Sequence, residues 1–310
     1  MEQFAIGAFS AVCATIVTNP LEVVKTRFQL QGELRAKGRH AVHYKGFFHA
    51  MYTIIKADGF LALQNGLVPS IWHQIFMNGF RLGGFHIAEE MKLNLKPNGE
   101  VSLPKTALVA GIMGSITAFT GSPFFLVKVQ LQSKSSRSIA VGTQHEANSM
   151  LSAFSSVYKN HGVAGLWRGV GGSVPRRIVG SSSQLVTFTA MKDFLANNSV
   201  YKIPKGYLNA FVSSLIGGMA VTVLMNPLDT ISTRLYNQGV DKNGRGLLYS
   251  SYFDCVSKIY KIEGFFGFYK GIVPLYVRTG PQTVLVLVIW DTTKNYYNTA
   301  KKKREQLNHS

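Results

Sequence analysis

Acidic residues and cysteines are scarce in this chain, and charge of either sign is sparse. Its 310 residues include 15 Asp and Glu against 33 Lys and Arg, which gives a formal net charge of +18, and 15% of the residues are charged while 46% are hydrophobic. The two cysteines, Cys13 and Cys255, stand far apart, so neither a disulfide scaffold nor a cysteine-based metal site is indicated. This composition fits two soluble domains or one compact membrane domain, with anionic partners in either case.

Signatures of several other protein classes are missing as well. No zinc-ligand spacing, RNA-binding signature or basic helix accompanies the positive charge, and the longest basic run, 301–304, lies in a tail, so no nucleic-acid partner is predicted. No Gly-rich phosphate loop, nucleophile-and-base set or metal set stands out, so the chain is predicted not to be an enzyme and to use no cofactor or metal. No basic segment precedes the first apolar run, so no cleavable targeting peptide is predicted.

What the sequence does contain is an internal repeat. The motif "PLEVVKTR" begins at Pro20, "PFFLVKVQ" at Pro123 and "PLDTISTR" at Pro227, which are 103 and 104 residues apart. A second motif, read as "DGFLALQNG", "HGVAGLWRG" and "EGFFGFYKG", recurs 103 and 102 residues apart in the same order. Because two independent motifs keep one period, we predict three repeats, 1–99, 100–200 and 201–300, followed by a basic C-terminal tail at 301–310.

Each repeat contains two apolar stretches. Residues 4–21, 106–127 and 206–228 carry no charge, and each stretch is near the ~20 residues that span a hydrocarbon core. A second apolar stretch begins after each glycine motif, near Gly66, Gly169 and Gly271. Segments between them, such as "YKGFFHAMYTIIKADG", mix apolar and charged positions as a short amphipathic surface helix does. The predicted fold is therefore all-α, with six transmembrane helices in three pairs and short amphipathic helices between the members of each pair.

The threefold pattern of proline, acid and base, followed by acid-glycine and aromatic-base-glycine, resembles the mitochondrial carrier family, solute carrier family 25, over essentially the whole chain. The resemblance implies a six-helix bundle with threefold pseudosymmetry that crosses the mitochondrial inner membrane, with both termini on the intermembrane-space side and the amphipathic helices on the matrix side. It also implies a monomer that binds a small solute and contacts inner-membrane phospholipid such as cardiolipin.

The same resemblance assigns the charges of the proline motif to a gate on the matrix side. In the family, the acid of the first helix of each repeat pairs with the base of the first helix of the next repeat. Here that implies two pairs, Glu22 with Lys128 and Asp229 with Lys25. The third pair is missing because Phe125 replaces the acid and Ser232 replaces the base, so no charge is left without a partner and the gate is expected to have two salt bridges.

Two further features of the proline motif match the family. Gln29 and Gln132, four residues beyond the bases, stand where the family often has a bracing glutamine, and Tyr236 takes the third place. A proline inside a helix removes one backbone hydrogen bond and bends the chain. The helices are therefore expected to kink at Pro20, Pro123 and Pro227.

At the far ends of the second helices, the family carries an aromatic, acid and base pattern that closes a gate on the cytoplasmic side. The counterparts here are "WDTTK" with Asp291 and Lys294, "FTAMK" with Thr189 and Lys192, and "FHIAE" with His86 and Glu89. Only the first matches fully, so this second network is expected to be weak or rewired.

Seven residues beyond the last glycine of each motif stand His73, Arg176 and Arg278, which match the family's three substrate contact points. Arg177 follows directly, and further along these helices lie Arg81, Gln184 and Gln282. Arginine presents a planar fork that fits carboxylate, sulfate or phosphate, so an arginine cluster without nearby acids argues for a small anion. His73 is expected to be a neutral hydrogen-bonding residue.

Two functional hypotheses follow. The cluster looks closest to the keto-acid and dicarboxylate carriers, in particular the oxaloacetate- and sulfate-carrier-like branch, which implies antiport of anions such as oxaloacetate or malate, and also sulfate, by alternating access. The alternative is a proton-leak or regulatory homologue of the uncoupling type that binds anions without productive exchange. The residues leave anion exchange and proton symport both open.

Overall fold

Long helices account for most of the structure. The computed structural model describes residues 2–35, 42–91, 93, 102–197, 207–241 and 244–308. Within these residues the chain forms nine α-helices, in order α1 (Glu2–Leu30), α2 (Phe47–Asp58), α3 (Leu67–Glu90), α4 (Leu103–Ser133), α5 (Met150–His161), α6 (Val170–Asn197), α7 (Tyr207–Asn237), α8 (Tyr252–Glu263) and α9 (Ile272–Asn308). Among the described residues the only β-type pairing is an isolated bridge between Val240 and Gly246. The predicted all-α architecture is confirmed.

The six long helices close into a ring. Each packs against the next in the order α1, α3, α4, α6, α7 and α9, and α9 packs against α1. Even α3, with 24 residues, is long enough for a ~30 Å hydrocarbon core at 1.5 Å rise per residue. Three stretches in the described part of the chain are also apolar enough to cross a membrane, Ile6–Leu30, Gly111–Ser133 and Phe265–Lys294. The long helices therefore have the dimensions of a membrane-spanning bundle.

One end of the ring is closed by the C-terminal parts of α1, α4 and α7, which contact one another as well as their ring neighbours. We refer to it as the closed end. The short helices α2, α5 and α8, each of 12 residues, follow these parts in the chain. In α2, Ala50 and Ile54 are buried against α1, whereas Phe48 is 82% exposed. Such a two-sided helix has the amphipathic character that the sequence predicts.

The prolines of the first motif lie inside α1, α4 and α7. A proline has no N–H, so the carbonyl four residues before it loses its helical partner. In α1 this carbonyl, of Ile16, accepts a hydrogen bond from Nε2 of Gln64 at 3.2 Å. In α4 it belongs to Phe119 and accepts from Nε1 of Trp167 at 2.9 Å. Gln64 and Trp167 hold the same place in the glycine motif, so that motif satisfies the backbone that the proline motif leaves unpaired.

The last glycine of each glycine motif has a left-handed backbone, with φ of 72° at Gly66, 84° at Gly169 and 83° at Gly271. It also lies against the side chain of a neighbouring helix at what we call the brace position, which is Gln29, Gln132 or Tyr236. A Cβ on Gly66 would stand 2.8 Å from Cγ of Gln132, and one on Gly271 would stand 3.1 Å from Cγ of Gln29. Backbone conformation and close approach together exclude a side chain at these positions.

Candidate functional site

Two buried ion pairs join the first helices of the repeats at the closed end. Nζ of Lys128 lies 2.6 Å from Oε1 of Glu22, which links α4 to α1, and Nζ of Lys25 lies 2.5 Å from Oδ2 of Asp229, which links α1 to α7. These are the two pairings that the family resemblance implies. All four residues are buried, so each charge depends on its partners for stabilisation.

Two arginines of the second helices reach the same carboxylates. Nε of Arg176 on α6 lies 2.5 Å from Oδ1 of Asp229, and Nη2 of Arg278 on α9 lies 3.2 Å from Oε1 of Glu22. The expectation that no acid lies near the arginine cluster is therefore wrong. Both arginines stand in the first two turns of their helices, and helical side chains point toward the helix N-terminus. Since α6 and α9 begin at the closed end, their arginines extend toward its carboxylates.

Each of the two closed-end carboxylates, Glu22 and Asp229, is thus shared by one lysine and one arginine, so the cluster carries four positive and two negative charges. The arginines also keep unused hydrogen-bonding capacity. Among the described residues, Nη1 of Arg176 and Nε of Arg278 are buried donors without a hydrogen-bond acceptor. Positive charge and buried donors without acceptors in one place give this cluster the chemistry to bind a small anion.

The third interface, between α4 and α7, is built from aromatic and hydroxyl groups. Phe125 stands edge-on to the Tyr236 ring at 4.9 Å between centroids, and Cζ of Arg176 lies 5.2 Å from the Phe125 centroid, within cation–π range. The Tyr236 hydroxyl hydrogen-bonds to Ser122 at 2.8 Å and to Ser173 at 2.5 Å. An aromatic contact therefore stands where a third ion pair would otherwise be.

The brace positions differ in what they hold. Nε2 of Gln29 donates to Oδ2 of Asp229 at 2.8 Å and so contacts a closed-end carboxylate directly. Nε2 of Gln132 instead donates to Oδ1 of Asn19 at 3.2 Å, beside the α1 proline. Only the first of these two glutamines therefore supports a charged group of the cluster by a direct hydrogen bond.

His73 is held between two fixed partners. Its Nδ1 lies 3.1 Å from the carbonyl oxygen of Gly121 on α4, and its Nε2 lies 2.9 Å from Nη2 of Arg177 on α6. A carbonyl can only accept and a guanidinium can only donate, so Nδ1 carries the proton and Nε2 accepts. His73 is thus neutral in this arrangement and orients Arg177.

Other predicted site residues are less completely described. Gln282 is half-buried on α9, and Nζ of Lys294 lies 4.6 Å from the centroid of the Trp290 ring. The remaining predicted residues lie in helices, but their side chains fall outside the described ones; they are Arg81, Gln184, His86, Glu89, Lys192 and Asp291. Their assignments to the substrate site and to the second gate stay predictions.

Sequence reasoning missed a second layer of ion pairs beneath the first. Nη1 of Arg27 lies 2.8 Å from Oδ2 of Asp58, and Nη1 and Nη2 of Arg234 lie 2.5 and 2.9 Å from the two oxygens of Glu263. Each arginine stands seven residues beyond its motif proline, and each acid opens its glycine motif, so the shared period contained the signal. Burial alone would raise the pKa of Glu263, but the hydrogen bonds from Arg234 hold it below its usual value.

An unusual carboxyl group lies beside this layer. Burial raises the pKa of Glu33 to about 7, although the positive charge of Arg234 opposes the shift. The Tyr249 hydroxyl donates to Oε1 of Glu33 at 3.0 Å, while Oε2 is buried without a partner in the described structure. Glu33 therefore titrates near neutral pH.

Comparison with known proteins gives a consistent picture. A family model described as mitochondrial carrier protein matches residues 1–96, 99–199 and 204–301. Solute carrier family 25 member 35 of Mus musculus is 43% identical over 300 residues, 97% of this chain and 100% of that protein. The mitochondrial oxaloacetate transport protein of Saccharomyces cerevisiae is 36% identical over 297 residues, 94% of this chain and 88% of that protein. Mitochondrial citrate transporter E of Aspergillus niger is 37% identical over 292 residues, 94% of this chain and 91% of that protein.

Proposed function

Since this chain belongs to the mitochondrial carrier family, and is therefore a transporter and not an enzyme, we propose that it exchanges small dicarboxylate or keto-acid anions across the mitochondrial inner membrane. In this proposal the long helices span the membrane as a monomer in contact with phospholipid such as cardiolipin. The closed end faces the matrix and acts as one gate, and the opposite ends of α3, α6 and α9 act as the other.

The observation that carries the proposal is the pairing of Arg176 and Arg278 with carboxylates of the protein itself. Nε of Arg176 lies 2.5 Å from Oδ1 of Asp229, and Nη2 of Arg278 lies 3.2 Å from Oε1 of Glu22. Groups placed to bind these carboxylates can also bind those of a solute, because the guanidinium fork matches a carboxylate wherever it comes from. The cluster's surplus of two positive charges favours a dianion, such as oxaloacetate, malate or sulfate.

The same contacts suggest how binding opens the gate. A solute anion that draws Arg176 and Arg278 away leaves each closed-end carboxylate with a single lysine partner. A buried ion pair that loses part of its compensation becomes less stable, so the closed arrangement is weakened when solute is bound. The switch is driven by the higher affinity of the anion for the state in which the arginines are released from the carboxylates.

Two of the similar proteins are named for the transport of oxaloacetate and citrate, which are carboxylate anions. The arginine pair of this chain fits that chemistry. His73 and Arg177 form a third polar group beside the pair and would contact the far end of the solute, while Arg81, Gln184 and Gln282 complete the proposed substrate site.

The test is uptake of labelled oxaloacetate, malate and sulfate into liposomes that contain the purified protein and are preloaded with each anion in turn. ADP and an amino acid serve as solutes that should not be transported. Saturable uptake that requires an internal anion and is lost in Arg176→Ala supports the proposal. Proton conductance that responds to fatty acid, without uptake of any dianion, overturns it in favour of a proton-leak carrier.

A further inference from the structure

The second layer of ion pairs is interrupted in the middle repeat. The arginine positions of the outer repeats, Arg27 and Arg234, correspond by the repeat period to Gln130, and their acid positions, Asp58 and Glu263, correspond to His161. The middle repeat therefore has neither the arginine nor the carboxylate. In the outer repeats this ion pair joins a long helix to the short helix that follows it, and we call it the clasp. Between α4 and α5 the clasp lacks both of its charges.

A cation nevertheless remains at the third position of this group. In the last repeat that position is Lys270, whose Nζ lies 2.6 Å from Oε2 of Glu263. Its counterpart in the middle repeat is Arg168. Position 161 offers no carboxylate to this arginine, and the positive charge of Arg168 acts directly on His161. The middle repeat has thus kept the cation and lost the anion.

The donors left behind have no acceptors. Nε2 of Gln130, Nδ1 of His161 and Nε of Arg168 are all buried and lack a hydrogen-bond partner within the described structure. Gln130 is only 2% exposed. Buried donors are almost always paired in folded proteins, and three unpaired ones within the two motifs of one repeat need an explanation. All three can donate to the same kind of group, an oxygen carrying negative charge.

We propose that Gln130, His161 and Arg168 form a second anion site, separate from the proposed substrate site, that binds a small oxyanion such as phosphate. The anion would take the place of the carboxylate that Asp58 and Glu263 supply in the outer repeats, and so would complete the clasp between α4 and α5. Asp241 is the acid that acts electrostatically on His161, and a tetrahedral oxyanion bound between His161 and Arg168 would place a second negative charge beside that imidazole.

The environment supports an anion over a cation. Burial lowers the pKa of Arg168, and burial together with the Arg168 charge lowers the pKa of His161. His145, whose pKa burial also lowers, is a further imidazole within electrostatic range of Arg168. A negative charge bound among these groups would stabilise their charged forms, which burial disfavours in all three.

Thermal unfolding of the detergent-solubilised protein tests the site. At constant ionic strength, replacing chloride by phosphate should raise the unfolding midpoint by roughly 2–4 °C once phosphate exceeds its dissociation constant about tenfold. The assay uses Arg176→Gln/Arg278→Gln as the background, so that phosphate bound at the proposed substrate site does not contribute. Arg168→Gln should abolish the phosphate effect in this background.

A second variant distinguishes loss of the anion site from a folding defect, because it should remove the phosphate response while raising stability. His161→Glu restores the carboxylate of the outer repeats, so it should raise the midpoint without phosphate and remove the response to phosphate. Gln130→Arg/His161→Glu should do the same more strongly, because it rebuilds the whole clasp. An undiminished phosphate response in both His161→Glu and Arg168→Gln overturns the proposal.

The same phosphate chemistry could come from a phospholipid headgroup. Titration with phosphatidylglycerol in phosphate-free buffer separates the two sources. A response to inorganic phosphate that His161→Glu removes identifies a soluble anion, whereas a response to the lipid alone that His161→Glu removes identifies a headgroup. Because neither measurement involves transport, failure of this proposal leaves the proposed exchange function intact, and the reverse also holds.

Discussion

Nε of Arg176 lies 2.5 Å from Oδ1 of Asp229, although Arg176 belongs to the proposed substrate contact points and Asp229 to the proposed gate. In the proposed function the substrate site and the gate thus share an ion pair and are not connected through intervening residues. An anion that competes for Arg176 should then act on the gate directly. This contact makes the arginines the first residues to test.

Arg278→Ala should lower kcat/KM for anion exchange by roughly 10- to 100-fold, because a hydrogen bond to a charged group contributes about 1.5–3 kcal/mol. The measurement is initial uptake into preloaded liposomes. Arg278→Lys is the matched control, since it keeps the positive charge near Glu22 but loses the planar fork. Full transport by Arg278→Lys would show that the fork is not used to hold the solute.

Phe125→Glu/Ser232→Lys should install the missing ion pair between α4 and α7. We expect a higher thermal midpoint and slower exchange, because a third pair must then be separated each time the closed end opens. Ser232→Lys alone adds a buried cation without its acid and should lower the midpoint. A double variant that exchanges at the wild-type rate, with no gain in midpoint, contradicts this description of the interface.

Trp167→Phe should lower the thermal midpoint, because the Phe119 carbonyl in α4 then loses the replacement partner that the described residues give it, and a typical hydrogen bond contributes about 0.5–1.5 kcal/mol. Pro123→Ala provides a new donor for the same carbonyl. Adding it to Trp167→Phe should therefore recover much of the loss. Additive destabilisation by the two changes would show that the carbonyl is not the group at issue.

The stability of the protein should fall between about pH 4.5 and pH 7 because of Glu33. Its pKa in the folded protein is about 7, above the ordinary glutamate value of 4.5, so the folded state binds the proton more tightly than the unfolded state does. The stabilisation is complete at low pH and is lost as pH rises through 7. Tyr249, Arg234, Glu263 and Lys270 are the groups that face it.

Thermal midpoints measured across this range should show a smaller pH slope for Glu33→Gln than for the wild type. Glu146, which is exposed, provides the control, since Glu146→Gln should leave the slope unchanged. An unaltered slope in Glu33→Gln would mean that another group titrates.

Much of the fold could be predicted from the sequence because the repeat multiplies every local signal by three. A single proline followed by Glu22 and Lys25 says little, but related spacing at three places carries the resemblance to a family. The ion pair of Lys25 with Asp229 is what that resemblance implies. The pairing of Arg278 with Glu22 is not, because it depends on how far a long side chain reaches along its own helix, which no motif spacing records.

Positions that lack the charge found in the other repeats are the hardest to interpret from the sequence alone. At Phe125 and Ser232 the loss of both charges was visible, but the contact that replaces them depends on Tyr236 and on hydroxyls of two other helices. At Gln130 the loss had no meaning until Arg27 and Arg234 were seen holding acids. The repeat period shows which charge is missing at a position, whereas only the packing shows which contact replaces it.

The contact between α9 and α1 makes the two ends of the chain depend on each other. The ring closes only through the last long helix, and that helix brings Arg278 to Glu22, a residue from the beginning of the chain. A chain that ends before α9 leaves the acid of its first helix without one of its two cations. A C-terminal truncation thus removes charge compensation from the first helix as well as opening the ring.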